Sequence, residues 1–138
     1  MDVEKIIHIG IYAIILSEDK NEILLIKKSR GPYIGMLDLP GGSPEFEEEL
    51  EDTLIRELKE ETGLQVKNFA QIKTLVKIIR NDNKWFRHIG VIYFVEASGV
   101  VNTDSDGQDS NGCLWLNISE ISDANCTPFV NMIAPELR

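Results

Sequence analysis

Gly42-Ser43-Pro44-Glu45-Phe46-Glu47-Glu48, then seven residues, then Arg56-Glu57-Leu58-Lys59-Glu60-Glu61-Thr62-Gly63-Leu64 is the stretch that decides the fold of this chain. Leu50, Leu54 and Leu58 recur every four residues with Ile55 beside them, the spacing of one apolar helix face. The spacing predicts a helix over residues 45–62. Ser43 followed by Pro44 reads as an early cap with proline in the first turn, and a start several residues later fits the same periodicity. Gly63 supplies a left-handed stop, and Leu64 the apolar contact that follows it. At about 100° per residue, Glu57, Glu60 and Glu61 fall within one arc and neighbour one another at the edge of the leucine stripe. Like charges there repel and lose hydration. A Lys or Arg layer relieves that, and so does a bound divalent cation, for which glutamate oxygens are natural ligands. The plainer reading is a solvated acidic face with Arg56 and Lys59 as surface partners. Ahead of the helix, the turn at Gly41-Gly42 lets a backbone carbonyl approach a ligand.

Outward from this segment, residues 6–16 are rich in β-branched residues and apolar on both alternating faces, as in a strand buried on both sides. Residues 17–21 read as a polar turn and 22–28 as a second strand. Residues 29–36 read as a loop, with two glycines and a proline. Residues 37–39 run as a strand end into Pro40-Gly41-Gly42. Residues 69–79 and 86–97 read as two long strands joined by a turn at 80–84. Residues 102–112 form a polar, acidic loop by composition, and 113–116 a short strand. One helical turn at 119–123 and a short helix at 128–137 finish the chain. No internal repeat, low-complexity tract or linker interrupts it. Strands, helix, strands, helix in that order predict one domain over residues 1–138. Its class is α/β (α+β), with a mixed β-sheet sandwiched between helices.

The formal net charge of −9 argues against a groove-binding nucleic-acid protein, which carries a basic footprint. Cys113 and Cys126 form no CxxC pair and no Cys/His cluster, so neither zinc nor a disulfide framework is expected. Met1-Asp2-Val3-Glu4-Lys5 is acidic where a signal peptide is basic, and residues 6–16 are too short to span a bilayer. A cytoplasmic protein with no membrane partner is expected.

Gly42-x5-Glu48-x7-Arg56-Glu57-Leu58-x-Glu60-Glu61-x-Gly63-Leu64 resembles the Nudix box with every defining position filled, and Leu39-Pro40-Gly41-Gly42 is similar to the family's usual entry to it. The box covers about one-sixth of the chain. The resemblance implies the Nudix fold and a MutT-like hydrolase that cleaves the diphosphate linkage of a nucleoside diphosphate derivative, water attacking phosphorus. It implies Mg²⁺ or Mn²⁺ bound by Glu57 and Glu61, with Glu60 contributing and the Gly42 carbonyl as a further ligand. It also implies that Arg56 pairs with a box glutamate, with Glu48, Gly41 and Gly63 in support. Glu60, Arg56 and Asp109 are the catalytic candidates. The chemistry suits these residues: cations neutralise the charge growing on the leaving oxygens and acidify bound water, and a carboxylate accepts its proton. The chain departs from the family's habit at Glu47, often glycine, at Leu37, often tryptophan, and mildly at Thr53.

Outside the box, Asp104, Asp106 and Asp109 precede Trp115 and read most simply as a soluble turn; the alternative is that one of them closes over a metal or assists the base, with Asp109 the choice on its spacing to Trp115. Lys27, Lys28, Arg30, Lys77, Arg80, Lys84 and Arg87 are phosphate candidates that read more simply as surface charge. His88 reads as a strand residue. Trp115 reads as core, and Trp85 as lining a pocket or interface. Tyr12, Tyr33 and Phe86 are stacking candidates, and the two cysteines read as buried thiols. Nucleoside triphosphates and nucleotide sugars both remain open as substrates. The proline that follows the box in many ADP-ribose hydrolases is missing. The alternative function is a non-catalytic nucleotide-sensing Nudix module, against which stand the intact box and the absence of room for a second domain. An isomerase acting on isoprenoid diphosphates would want a cysteine close after the box. The expected partner is a small nucleotide diphosphate derivative rather than nucleic acid, with a homodimer open.

Overall fold

The computed structural model describes residues 3–102 and 110–138. Among the described residues, seven strands build two sheets. The first has the order β4-β1-β6-β5, from β4 (Gly41–Gly42), β1 (Glu4–Ile14), β6 (Lys84–Ser98) and β5 (Gln65–Asn81). The second has the order β3-β2-β7, from β3 (Leu37–Asp38), β2 (Glu22–Lys28) and β7 (Ser110–Asn117). β1 and β6 pair in parallel and the other pairs are antiparallel, so the architecture is mixed, as expected, but divided between two sheets. Backbone hydrogen bonds from Leu24 to Ile15 and from Ala13 to Pro40 stitch the sheets together where the chain crosses.

Alternation along the strands sends side chains to two cores. Ile11, Ala13, Leu24, Val91 and Tyr93 face α1 (Leu50–Thr62), which buries Leu54 and Leu58 completely. Each of those leucines contributes about 1.5–3 kcal/mol by leaving water. Tyr12, Ile14, Ile23, Leu25 and Ile92 face α2 (Pro128–Leu137), which buries Phe129, Val130, Ile133 and Ala134. α2 starts with proline at its first position, as read from the sequence. It lies so close to β6 that a Cβ on Gly90 would stand 2.5 Å from the Phe129 ring.

Several expectations need correction. α1 begins at Leu50, because Glu45 to Glu48 closes a separate turn. There the Glu48 N–H donates to the Glu45 carbonyl, and the Glu48 carboxylate turns back to accept the Glu45 N–H. Glu49, not Ser43, precedes the helix, and its N–H donates to Asp52. β1 is buried on both sides only from Gly10 onward. Its first half runs beyond α1, leaving Ile7 68% and Ile9 44% exposed. β5 and β6 extend further than the apolar runs indicated. They meet in a turn at Asp82-Asn83, where Asp82 has φ 58°. β7 takes in Ser110 to Gly112, which composition had assigned to a loop. Trp115 is not core: it lies on β7 at the edge of its sheet, opposite Leu24, where the covered area ends. The helical turn near 119–123 is a 3-10 turn at Ile118–Glu120.

Candidate active site

β4 delivers the glycine turn to the side of α1. Gly41 has φ 146°, and a Cβ there would stand 2.0 Å from the Ile11 carbonyl, so only glycine lets β4 pair with β1 at this point. Its N–H donates to Glu61 Oε1 at 2.7 Å, which fixes a carboxylate that is almost wholly buried. A Cβ on Gly42 would stand 2.6 Å from the Glu57 carboxylate. Gly63 closes α1 with φ 78° and donates to the Lys59 carbonyl, one turn beyond the carboxylates. Glu57, Glu60 and Glu61 thus share one helix face beside Gly41 and Gly42, and Glu60 is the most open of the three.

Arg56 is the hub of this face. Its Nε and Nη2 donate to the two Glu48 oxygens at 2.7 and 2.9 Å, a two-pronged pair. Its Nη1 donates to Glu57 at 2.9 Å and to Glu60 at 3.4 Å, and Nη2 also reaches the Ser43 carbonyl at 3.3 Å. The hydrogen bonds from Arg56, from the Glu45 N–H and from the Thr53 hydroxyl hold the Glu48 carboxyl down to about 2. The same carboxylates push the Arg56 guanidinium still higher than usual. Thr53, a departure from the family's habit, therefore has a task of its own here. Beneath the cluster, burial and the charge of Glu61 push the Cys113 thiol up to about 11, and it donates to the Asn102 carbonyl.

Among the described residues no His, Cys, Asp or Glu trio forms a ready cation cage. The donor set nonetheless fits a hard cation: three glutamates share one helix face, the glycine beside Glu57 leaves no room for a side chain, and Arg56 supplies balancing charge to Glu57 and Glu60. Asp104, Asp106 and Asp109 lie outside the described residues.

On the opposite face of the first sheet lies a cavity of about 310 Å³. Ile6, His8, Phe86, His88, Lys77 and Ile79 form its sheet wall. Lys28, Arg30, Tyr33, Asp38, Thr127 and Phe129 close the other sides. Its wall residue His8 is linked to the carboxylate cluster through Ser43, whose hydroxyl shares a 2.6 Å hydrogen bond with His8 Nε2 and whose carbonyl accepts from Arg56. Of the basic candidates, Lys28, Arg30 and Lys77 line the cavity, whereas Arg80 lies over Trp85, 5.4 Å from its centroid, outside it. Tyr12 is buried, and Tyr33 and Phe86 are at the wall.

Sequence reading missed His8 and Asp38. The signal for His8 was strand parity, since it alternates with Ile7 and Ile9 and faces the same way as Ile6. Asp38 gave no local signal: its burial comes from α2. It accepts hydrogen bonds from the Thr127 hydroxyl at 2.7 Å and the Leu39 N–H at 2.8 Å, with Lys28 3.8 Å away. Burial pushes its carboxyl upward against these partners.

His88 lies in β6 as read, packed between His8 and Phe129, with Nε2 hydrogen-bonded to the Tyr12 hydroxyl at 2.8 Å. Burial first, then the charges of His8 and Lys28, lowers it to about 4. The folded state therefore favours neutral His88. Its contribution to stability is complete above about 6.5 and is lost as pH falls toward 4. Discounted for its opening to the cavity, this is worth on the order of 2 kcal/mol. Melting temperature should fall over that window, and less steeply in His88→Asn. Equal slopes in the two proteins would remove His88 as the cause.

Fold and site together define the class. The chain belongs to the NUDIX domain family, whose model it matches over residues 7–133. It is 36% identical over 84 residues to an ADP-ribose pyrophosphatase of Methanocaldococcus jannaschii, covering 59% of this chain and 47% of that protein. The chain thus spans about half the length of that relative. Among solved structures, the MutT NUDIX hydrolase from Burkholderia pseudomallei superposes with a TM-score of 0.80 at 22% identity, covering 96% of this chain and 98% of that one. The NUDIX domain of Shewanella oneidensis NrtR, solved in complex with ADP ribose, gives a TM-score of 0.67 at 21% identity, with 82% and 74% covered. NrtR has also been solved with a 27mer DNA, and there the chain covers 59% of that protein. Members of the family generally use divalent metal ions. No helix among the described residues is long and apolar enough to cross a membrane.

Proposed function

We propose that the chain, as one Nudix domain over residues 1–138, is a pyrophosphohydrolase that cleaves the diphosphate linkage of a nucleoside diphosphate derivative. The observation that carries this reading is the Glu57, Glu60 and Glu61 face beside Gly41-Gly42, joined through Ser43 and His8 to an aromatic-walled cavity. Glu57, Glu60, Glu61 and the Gly42 carbonyl would hold Mg²⁺ or Mn²⁺. The cation would offset phosphate charge and acidify water. Glu60, the most open of the three, accepts the proton of the attacking water. Arg56 and Glu48 keep Glu57 in place. Tyr33, Phe86 and Phe129 give the nucleoside apolar walls, while Lys28 and Lys77 offset phosphate charge. Asp109 stays a candidate for closing over the site, and full activity in Asp109→Asn at saturating metal would remove it.

The partner is a small molecule rather than nucleic acid, for which the net charge of −9 is the support, and the location is cytoplasmic. Nucleoside triphosphates and nucleotide sugars both belong in the substrate panel, and the relatives named ADP-ribose pyrophosphatase support including ADP-ribose. The test measures products from such a panel with Mg²⁺, with Mn²⁺ and with a chelator. Cleavage of at least one compound, lost on chelation, is expected. Tight binding with no turnover across the panel would favour a nucleotide sensor.

A further inference from the structure

β4 ends at Gly42, and the carbonyl proposed as a cation ligand belongs to the peptide that joins Gly42 to Ser43. A peptide unit is planar, so whatever holds Ser43 also orients that carbonyl. Glycine does not orient it alone, because its own dihedrals are permissive. On one side the Gly41 N–H is tied to Glu61. On the other, Pro44 has no N–H to give. Ser43 is instead held from two directions. Its carbonyl accepts from Arg56 Nη2 at 3.3 Å, on the α1 side. Its hydroxyl shares the 2.6 Å hydrogen bond with His8 Nε2, on the β1 side.

The His8 ring is a fixed post for that bond. The parallel pairing of β1 with β6 sets His8 opposite His88, and the two ring centroids stand 4.9 Å apart. His88 packs on Phe129 of α2, 4.6 Å between centroids, and shares a 2.8 Å hydrogen bond with the Tyr12 hydroxyl. Gly10 leaves room for that hydroxyl, since a Cβ there would stand 2.2 Å from it. A stack of rings that begins on α2 therefore ends on Ser43. The His8–Ser43 bond is exposed, so it adds little to the stability of the fold. Its consequence is where it holds the backbone.

We propose that His8 is a positioning residue for the cation site: through Ser43 it sets the peptide whose carbonyl would be a ligand. This role rests on the reading of Glu57, Glu60, Glu61 and the Gly42 carbonyl as the cation ligands. His8 is assigned no contact with the cation and no part in proton transfer. It acts as outer partners of metal ligands do, by fixing the orientation of a group that binds. Because the same ring lines the cavity, the wall that receives the nucleoside and the turn that offers the carbonyl share one support.

Mn²⁺ binding, followed by the electron paramagnetic resonance of the free ion with no nucleotide present, tests this without turnover. The parent should bind Mn²⁺, and His8→Leu and Ser43→Ala should each weaken binding roughly three- to tenfold, the scale of one lost hydrogen bond. The double variant should bind about as well as either single one, because both changes remove the same bond. His8→Gln should recover most of the affinity, since its amide can donate or accept. Ile7→Ala, on the opposite face of β1 and 68% exposed, should bind as the parent does. All the variants should melt near the parent temperature without metal. Equal affinity in the parent, His8→Leu and Ser43→Ala overturns the role of His8 and leaves the cation site standing. Losses that add in full in the double variant also overturn it, because the two side chains would then act apart. A parent that binds no Mn²⁺ overturns the cation site, and this role with it.

Discussion

Glu61→Gln is expected to lower hydrolysis by roughly 10²–10³, about 3–4 kcal/mol of transition-state stabilisation, while the protein stays folded. Glutamine keeps the size and helix preference of glutamate. Its side-chain oxygen can still accept the Gly41 N–H that Glu61 accepts at 2.7 Å, so the contact between β4 and α1 survives. What is lost is one negative charge and a strong ligand oxygen. Glu61 is only 3% exposed, and removing a buried charge beside Glu57 relieves repulsion and desolvation. Melting temperature without metal should therefore hold or rise slightly, and its rise on adding Mg²⁺ should shrink. Activity and melting temperature against Mg²⁺ concentration check both parts. Near-normal activity would end the assigned role of Glu61, and collapse of the fold would make it a structural residue.

Arg56→Met is the largest expected loss of stability among the site residues. It leaves Glu48, Glu57 and Glu60 without their shared cation and frees the turn that precedes α1. The cluster is only partly shielded and Glu60 is open to solvent, so the loss is smaller than for a fully buried pair. Melting temperature should fall by several degrees, on the order of 4 °C. Arg56→Lys should recover part of this, because lysine restores the charge but not the two-pronged bond to Glu48. The loss depends on pH in a defined direction. Glu48 titrates at about 2 in the folded protein against an ordinary value of 4.5, so its stabilisation is complete above 4.5 and disappears as pH falls through 2. The gap between Arg56→Met and the parent should therefore be full at neutral pH and narrow in acid. A gap that stays constant to the lowest pH would show that Glu48 does not carry it.

The family, the mixed fold and the carboxylate face were legible in the sequence because each rests on short-range periodicity. Glu57, Glu60 and Glu61 share a face because α-helical spacing requires it, and Gly63 stops the helix because glycine takes the left-handed turn there without the strain a side chain brings. β2 and α2 were readable to the residue for the same reason. The first turn of α1 was not. Its start depends on Glu48 folding back onto Arg56, a choice made by a side chain eight residues away. The exposed Trp115 misled because burial on an edge strand depends on what lies beside it.

The sequence by itself determined the local chemistry: three carboxylates on one helix face, a glycine turn ahead of them, and strands with the right alternation. Tertiary structure alone decided which of those strands would be covered. The parallel pairing of β1 with β6 brought His8 against His88 and made the cavity wall. The meeting of β3 with the start of α2 buried Asp38 under Thr127. The reach of β5 and β6 beyond α1 left one apolar face open. The physical reason is range: a dihedral preference or a helical repeat acts within a few residues, whereas burial is set by whichever distant segment arrives to exclude water.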